Sequence, residues 1–144
     1  MVELVSGEQS LGVHYLLSVF ECKPNVLDDL HKVSSILVEA TRRAHASMTG
    51  MITRKFDPLV PGTPAGVSVV IGIEESHVSI HTWPENSKAS ADVYTCGGDM
   101  EPEIAVQYIV RRFGSRRTEV TVFDRNTNRV TRTYTIPKLR RKTA

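Results

Sequence analysis

Val67-Ser68-Val69-Val70-Ile71-Gly72-Ile73-Glu74-Glu75-Ser76-His77-Val78-Ser79-Ile80-His81-Thr82-Trp83 is the stretch on which the fold turns. Its first part, Val67 to Ile73, is rich in β-branched residues and reads as a central strand. Its last part, Val78 to Trp83, alternates apolar and polar residues and reads as the next strand. Ala91 to Thr95 repeats that pattern over a shorter span. Connections this short favour antiparallel pairing.

Upstream, Val13 to Phe20 predicts a strand with Tyr15, Leu17 and Val19 on one face. Lys23-Pro24-Asn25 breaks it. Asn25 is placed to cap a helix running to about Ala46, with Asp28 in its first turn. Leu30, Val33, Ile36, Leu37, Ala40 and Ala44 recur at helical spacing and form its buried stripe. Met51 to Phe56 is a short strand. Asp57 to Gly66 carries Pro58, Pro61, Gly62 and Pro64 and is a loop.

Downstream, Gly97-Gly98-Asp99 is a turn, and Pro102 suits the first turn of a helix reaching Gly114. That helix carries Ile104, Tyr108, Ile109 and Phe113. Thr118 to Phe123 and Val130 to Ile136 form a hairpin through the turn-like Asp124 to Asn128. The order β-α-β-β-β-β-α-β-β predicts an α+β two-layer sandwich: an antiparallel β-sheet with two helices packed on one face. The other face also needs cover. A second copy of the chain supplies it, so a homodimer is expected.

With 144 residues the chain predicts one domain, 1–144. No apolar run reaches the ~18 residues of a membrane-spanning helix. Met1 to Gly7 lacks the basic-then-apolar order of a secretory signal. Two cysteines, Cys22 and Cys96, make no disulfide framework, and a reduced, cytoplasmic protein is the expectation. The net charge of +2 hides an asymmetry. Arg111, Arg112, Arg116, Arg117, Arg125, Arg129, Arg132, Lys138, Arg140, Arg141 and Lys142 face only Glu119 and Asp124 in the last third. A solvated surface accounts for this. The alternative is a nucleic-acid-binding module, against which the tail lacks interleaved aromatics for base stacking.

Glu75 to Glu85, with Thr95-Cys96-Gly97 after it, gathers a serine, two imidazoles, carboxylates, an indole and a thiol. His77 and His81 would share a zinc on a helix, with Cys96, Glu85 or Cys22 completing the set. On a strand, four residues span about 13 Å. The pair then cannot meet one ion, and no metal is expected. A Ser76 or Cys96 hydrolase activated by His81 lacks the Gly-x-Ser-x-Gly elbow. Taken singly, each residue has an ordinary packing role; the complete string does not.

Glu75-Ser76-His77-x-x-Ile80-His81-Thr82-Trp83-Pro84-Glu85, followed by Asp92-x-Tyr94-Thr95-Cys96-Gly97, resembles the short bacterial and archaeal S-adenosylmethionine decarboxylase proenzymes. The likeness runs from Leu11-Gly12-Val13-His14 to about Arg125 and is tightest in the central run. It implies that Ser76 is the precursor of a pyruvoyl cofactor and Glu75–Ser76 the scissile bond. Cleavage would then give a β chain, 1–75, and an α chain, 76–144. It assigns His81 and Ser68 to processing, His81 by proton transfer. Cys96 matches the proton donor of turnover, Glu85 the carboxylate that holds the ribose hydroxyls, and Trp83 lines the substrate region.

The implied chemistry explains the residue types. A serine hydroxyl can attack the preceding carbonyl, and an ester, unlike an amide, leaves readily by β-elimination. Imidazole titrates near neutral pH and can move an α-proton. The resulting ketone forms a Schiff base with the substrate amine and accepts the electrons released with CO2. A thiol, ordinarily titrating near ~8.5, has a proton to return. The product would be the aminopropyl donor of spermidine synthesis.

The chain departs from the family pattern between Phe56 and Gly66. Leu59, Val60, Pro61 and Thr63 stand there in place of a shorter loop with an aromatic. Val13 replaces the usual basic residue. Relatives that decarboxylate arginine or ornithine form the alternative; they need an acidic pocket, for which Asp57, Glu74 and Asp92 are available. A processed but catalytically silent partner subunit ranks below both, because all the chemical groups are present.

Overall fold

The computed structural model describes residues 9–139, so Arg140, Arg141 and Lys142 of the basic tail and the Met1 to Gly7 segment lie outside it. Seven strands form one antiparallel sheet in the order β2-β3-β4-β5-β1-β6-β7. They are β1 (Val13–Phe20), β2 (Met48–Lys55), β3 (Val67–Ile73), β4 (Ser76–Trp83), β5 (Lys88–Thr95), β6 (Arg117–Asp124) and β7 (Arg129–Pro137). Two main helices, α2 (Leu30–Arg43) and α3 (Pro102–Arg112), follow a single turn, α1 (Pro24–Leu27). The expected α+β two-layer sandwich is the observed fold.

The register explains the layering. Tyr15, Leu17 and Val19 of β1, Val67, Val69 and Ile71 of β3, Val78 and Ile80 of β4, and Ala91 and Val93 of β5 alternate onto one face and are buried. Val33, Ile36, Leu37 and Ala40 of α2 and Ala105, Val106, Ile109 and Val110 of α3 close over them. Burying aliphatic side chains of this size contributes roughly 1.5–3 kcal/mol each.

Several boundaries differ from the sequence reading. The helix expected from Asn25 to Ala46 is two helices. Asp29 adopts an extended backbone (φ −101°, ψ 100°), and its carboxylate accepts the Lys32 amide at 3.0 Å. Asp29 is therefore the N-cap, and Asp28 closes the short turn before it. α3 ends at Arg112, with Phe113 buried as its C-cap. Ile104 lies on its exposed side; Ala105 and Val106 take the buried stripe. β2 starts at Met48, β4 at Ser76 and β5 at Lys88, because ladder pairing carries each strand past the end of its apolar alternation.

Candidate active site

β3 and β4 are joined by a two-residue turn, Glu74-Glu75, that pairs Ile73 with Ser76. Ser76 is half-buried and sits at φ 157°, a backbone angle that L side chains rarely adopt. The turn is held from two sides. On one, the Ser47 carbonyl accepts the Glu74 amide at 2.8 Å, and the Ser47 amide donates to the Glu75 carboxylate at 3.2 and 3.3 Å. On the other, the Cys96 amide donates to the Glu75 carbonyl oxygen at 2.8 Å. That oxygen belongs to the Glu75–Ser76 peptide bond.

Gly12 fixes the Cys96 backbone from behind. Its φ is 89°, and a Cβ there would lie 1.9 Å from the Thr95 carbonyl oxygen and 2.5 Å from the Cys96 Cα. Only glycine fits this crossing. The Cys96 thiol is exposed, whereas Cys22 is buried and its thiol is pushed by burial up to about 12. A thiol so disposed is an inert core group.

Ser68 and His81 are direct cross-strand partners, and His81 also faces Ser90. They lie on the sheet face that carries no helices. His81 is exposed, and its ring lies 6.4 Å from that of Trp83. Glu85 is exposed in a one-turn 3-10 helix, Pro84–Asn86, just beyond β4. A cavity of about 390 Å3 opens at this end, lined by Ser18, Phe20, Trp83, Lys88 and Ser90 among others.

The sequence-assigned residues therefore fall into two groups. Glu75, Ser76 and Cys96 converge at the hairpin end of β4. Ser68, His81, Trp83 and Glu85 gather toward its other end. Five residues of strand separate Ser76 from His81, about 16 Å, and seven separate Ser76 from Trp83, about 23 Å. Within one chain the two groups do not meet.

The open face also holds a network that sequence reasoning did not find. Asp92 Oδ2 lies 2.6 Å from His14 Nε2 and 2.7 Å from His77 Nε2, and Ser79 Oγ donates to Oδ1. Burial raises the Asp92 carboxyl, but the hydrogen bonds from Ser79, His14 and His77 outweigh it and hold the group below its ordinary value. Arg125 Nη1 sits 3.2 Å from His14 Nδ1. A guanidinium only donates, so His14 accepts at Nδ1 and carries its proton on Nε2, facing Asp92. His14, His77 and Asp92 are the one group among the described residues spaced to hold a metal. The tautomer set by Arg125 leaves no lone pair on His14 Nε2 for an ion, so the trio fits a proton-sharing network better. The one sequence signal for it is that each is a polar residue beside apolar ones in a strand; the structure sets those strands, β4, β5 and β1, side by side.

These features define a two-layer α+β protein with an open, polar sheet face and a strained hairpin at its end. The model of the S-adenosylmethionine decarboxylase family matches residues 13–126. An S-adenosylmethionine decarboxylase proenzyme of Pyrococcus horikoshii is 38% identical over 126 residues, 88% of this chain and 86% of that protein. One of Thermodesulfovibrio yellowstonii is 43% identical over 104 residues, covering 72% and 73% of the two chains. Among solved structures, the adenosylmethionine decarboxylase of Aquifex aeolicus superposes with a TM-score of 0.72 at 29% identity, covering 82% of this chain and 92% of that one. The chain belongs to the S-adenosylmethionine decarboxylase family.

Proposed function

We propose that this protein cleaves itself between Glu75 and Ser76 and then decarboxylates S-adenosylmethionine through a pyruvoyl group made from Ser76. The observation that carries the proposal is the Cys96 amide, 2.8 Å from the Glu75 carbonyl oxygen. The Ser76 hydroxyl adds to that carbonyl carbon, and negative charge develops on the oxygen the amide already faces. The C–N bond breaks, the nitrogen takes up a proton, and an ester results. Leaving the strained angle at Ser76 favours this step. A base then removes the α-proton of residue 76, the Cβ–O bond breaks, and Glu75 departs as a carboxylate. The dehydroalanine left behind tautomerises, and water releases ammonia to give the ketone. Fragments 1–75 and 76–144 stay paired, because β3 and β4 remain neighbours in the sheet.

His81 and Ser68 are the assigned partners of this chemistry, and they cannot reach Ser76 of their own chain. A second copy, packed open face to open face about a two-fold axis, brings the His81 end of one β4 to the Ser76 end of the other. Leu16, Ile52, Val70 and Trp83, exposed apolar residues on that face, support this homodimer.

Once formed, the pyruvoyl group supplies an electron sink for loss of the substrate carboxylate. Cys96, exposed next to Thr95, the cross-strand partner of residue 76, then returns a proton to the substrate. Trp83 and Glu85 flank the end of the face where the nucleoside would lie. The arginine or ornithine alternative has less support. Asp92, on the open face, is already committed to three donors. Carboxyl-labelled S-adenosylmethionine, arginine and ornithine, assayed in parallel, test the reading. Release of CO2 from the first alone is expected; release from an intact, uncleaved chain would refute the pyruvoyl mechanism.

A further inference from the structure

The helix layer holds a groove that shares no residue with the site above. It encloses about 930 Å3 between α2 and α3, and Lys32, Arg43, Arg111 and Arg112 line it with a single carboxylate, Glu39. Glu39 is fully engaged. It accepts from Arg42 at 2.6 and 2.9 Å and from Arg43 at 2.9 Å, and these bonds hold its carboxyl down to about 2. Lys32, Arg111 and Arg112 form no ion pair among the described residues.

Arg111 carries the decisive detail. Its Nε is sealed from solvent and has no hydrogen-bond partner among the described residues. Sealed donors are almost always satisfied, and Arg111 meets that rule once its guanidinium turns toward an acceptor in the groove. Tyr108 is not free to stack a base, because Arg43 lies 4.6 Å and Arg112 6.0 Å from its ring centre. Recognition here is by charge and guanidinium hydrogen bonds, the chemistry that suits phosphate oxygens. The groove is too large for one phosphate, and three cations without a carboxylate partner call for more than one.

We propose that this groove binds a small anion bearing two or three linked phosphates, with Arg111, Lys32 and Arg112 donating to its oxygens. The inference is independent of the decarboxylase reading. Titration calorimetry of the full chain, cleaved or uncleaved, at low ionic strength, with inorganic phosphate, tripolyphosphate and ATP, tests it. Tripolyphosphate is expected to bind at least about tenfold more tightly than phosphate, and Arg111→Gln to weaken it about tenfold. Equal affinity for ATP would assign recognition to the phosphate chain; markedly tighter ATP would add the nucleoside to the ligand. Lys32→Gln with Arg112→Gln, both on the helix surface, should weaken binding comparably if Arg111→Gln fails to fold. Arg129→Gln, on the β6–β7 hairpin, should leave it unchanged. Absence of tripolyphosphate binding, or equal weakening by Arg129→Gln, would overturn the proposal.

Discussion

On its covered face the sheet presents Val67, Val69, Ile71, Val78, Ile80 and Val93, all sealed beneath the helices. On its open face the same strands present Ser68, His77, Ser79, His81 and Asp92, beside exposed Val70 and Trp83. The covered face is complete within one chain: each apolar group has its neighbours, and little there can react. The open face is incomplete. Its polar groups are organised, yet the residues assigned to one reaction stand at opposite ends of β4. The homodimer proposed above would join these halves across two copies.

Ser76→Ala should produce the largest effect. The chain should run as one uncut band on a denaturing gel and release no CO2, while its melting temperature stays close to that of the parent. His81→Ala comes next and should slow cleavage by roughly 10²–10⁴, the usual worth of a positioned acid–base group. Its origin can be traced by mixing. When His81→Ala and Ser76→Ala chains are refolded together, the His81→Ala chain should be cut, because its Ser76 meets the partner's intact histidine. If only unmixed wild-type chains are cut, the two-copy site is wrong.

The covered face should respond in stability and not in chemistry. Ile80→Ala should lower the unfolding free energy by about 2–5 kcal/mol in a urea titration. Cleavage at Ser76 should persist wherever that variant is folded. Asp92→Asn should cost less, about 1–3 kcal/mol near neutral pH. The sign of its pH dependence follows from the lowered carboxyl. An aspartate held below its ordinary ~3.9 stabilises the fold above that value, and the gain vanishes as pH falls through the lowered one. The gap between wild type and Asp92→Asn should therefore close below about pH 4, as read from acid-dependent thermal melts.

Much of the covered face was legible in the sequence. Alternation in β1, β3 and β4 and the 3.6-residue stripe of α2 are local patterns, and burial followed them. The helix start was misplaced because Asn25 and Asp29 are both good caps, and only the extended backbone at Asp29 chooses between them. The open face was legible as a set of residue types and not as a geometry. The His14–Asp92–His77 network joins residues 78 and 15 positions apart, and no local pattern reports such a pairing.

What the sequence determined by itself is therefore short-range. It set which residues face the core, where the chain turns, and which groups stand next to the Glu75–Ser76 bond, since backbone alternation and side-chain chemistry are properties of neighbours along the chain. The placing of β1 between β5 and β6, and the register of every pair, belong to the tertiary structure alone. They put the Cys96 amide on the Glu75 carbonyl, set Ser68 against His81, and hold both away from Ser76. The physical reason is that a hydrogen-bonded ladder fixes contacts between segments distant in sequence, and its register comes from packing the whole sheet at once.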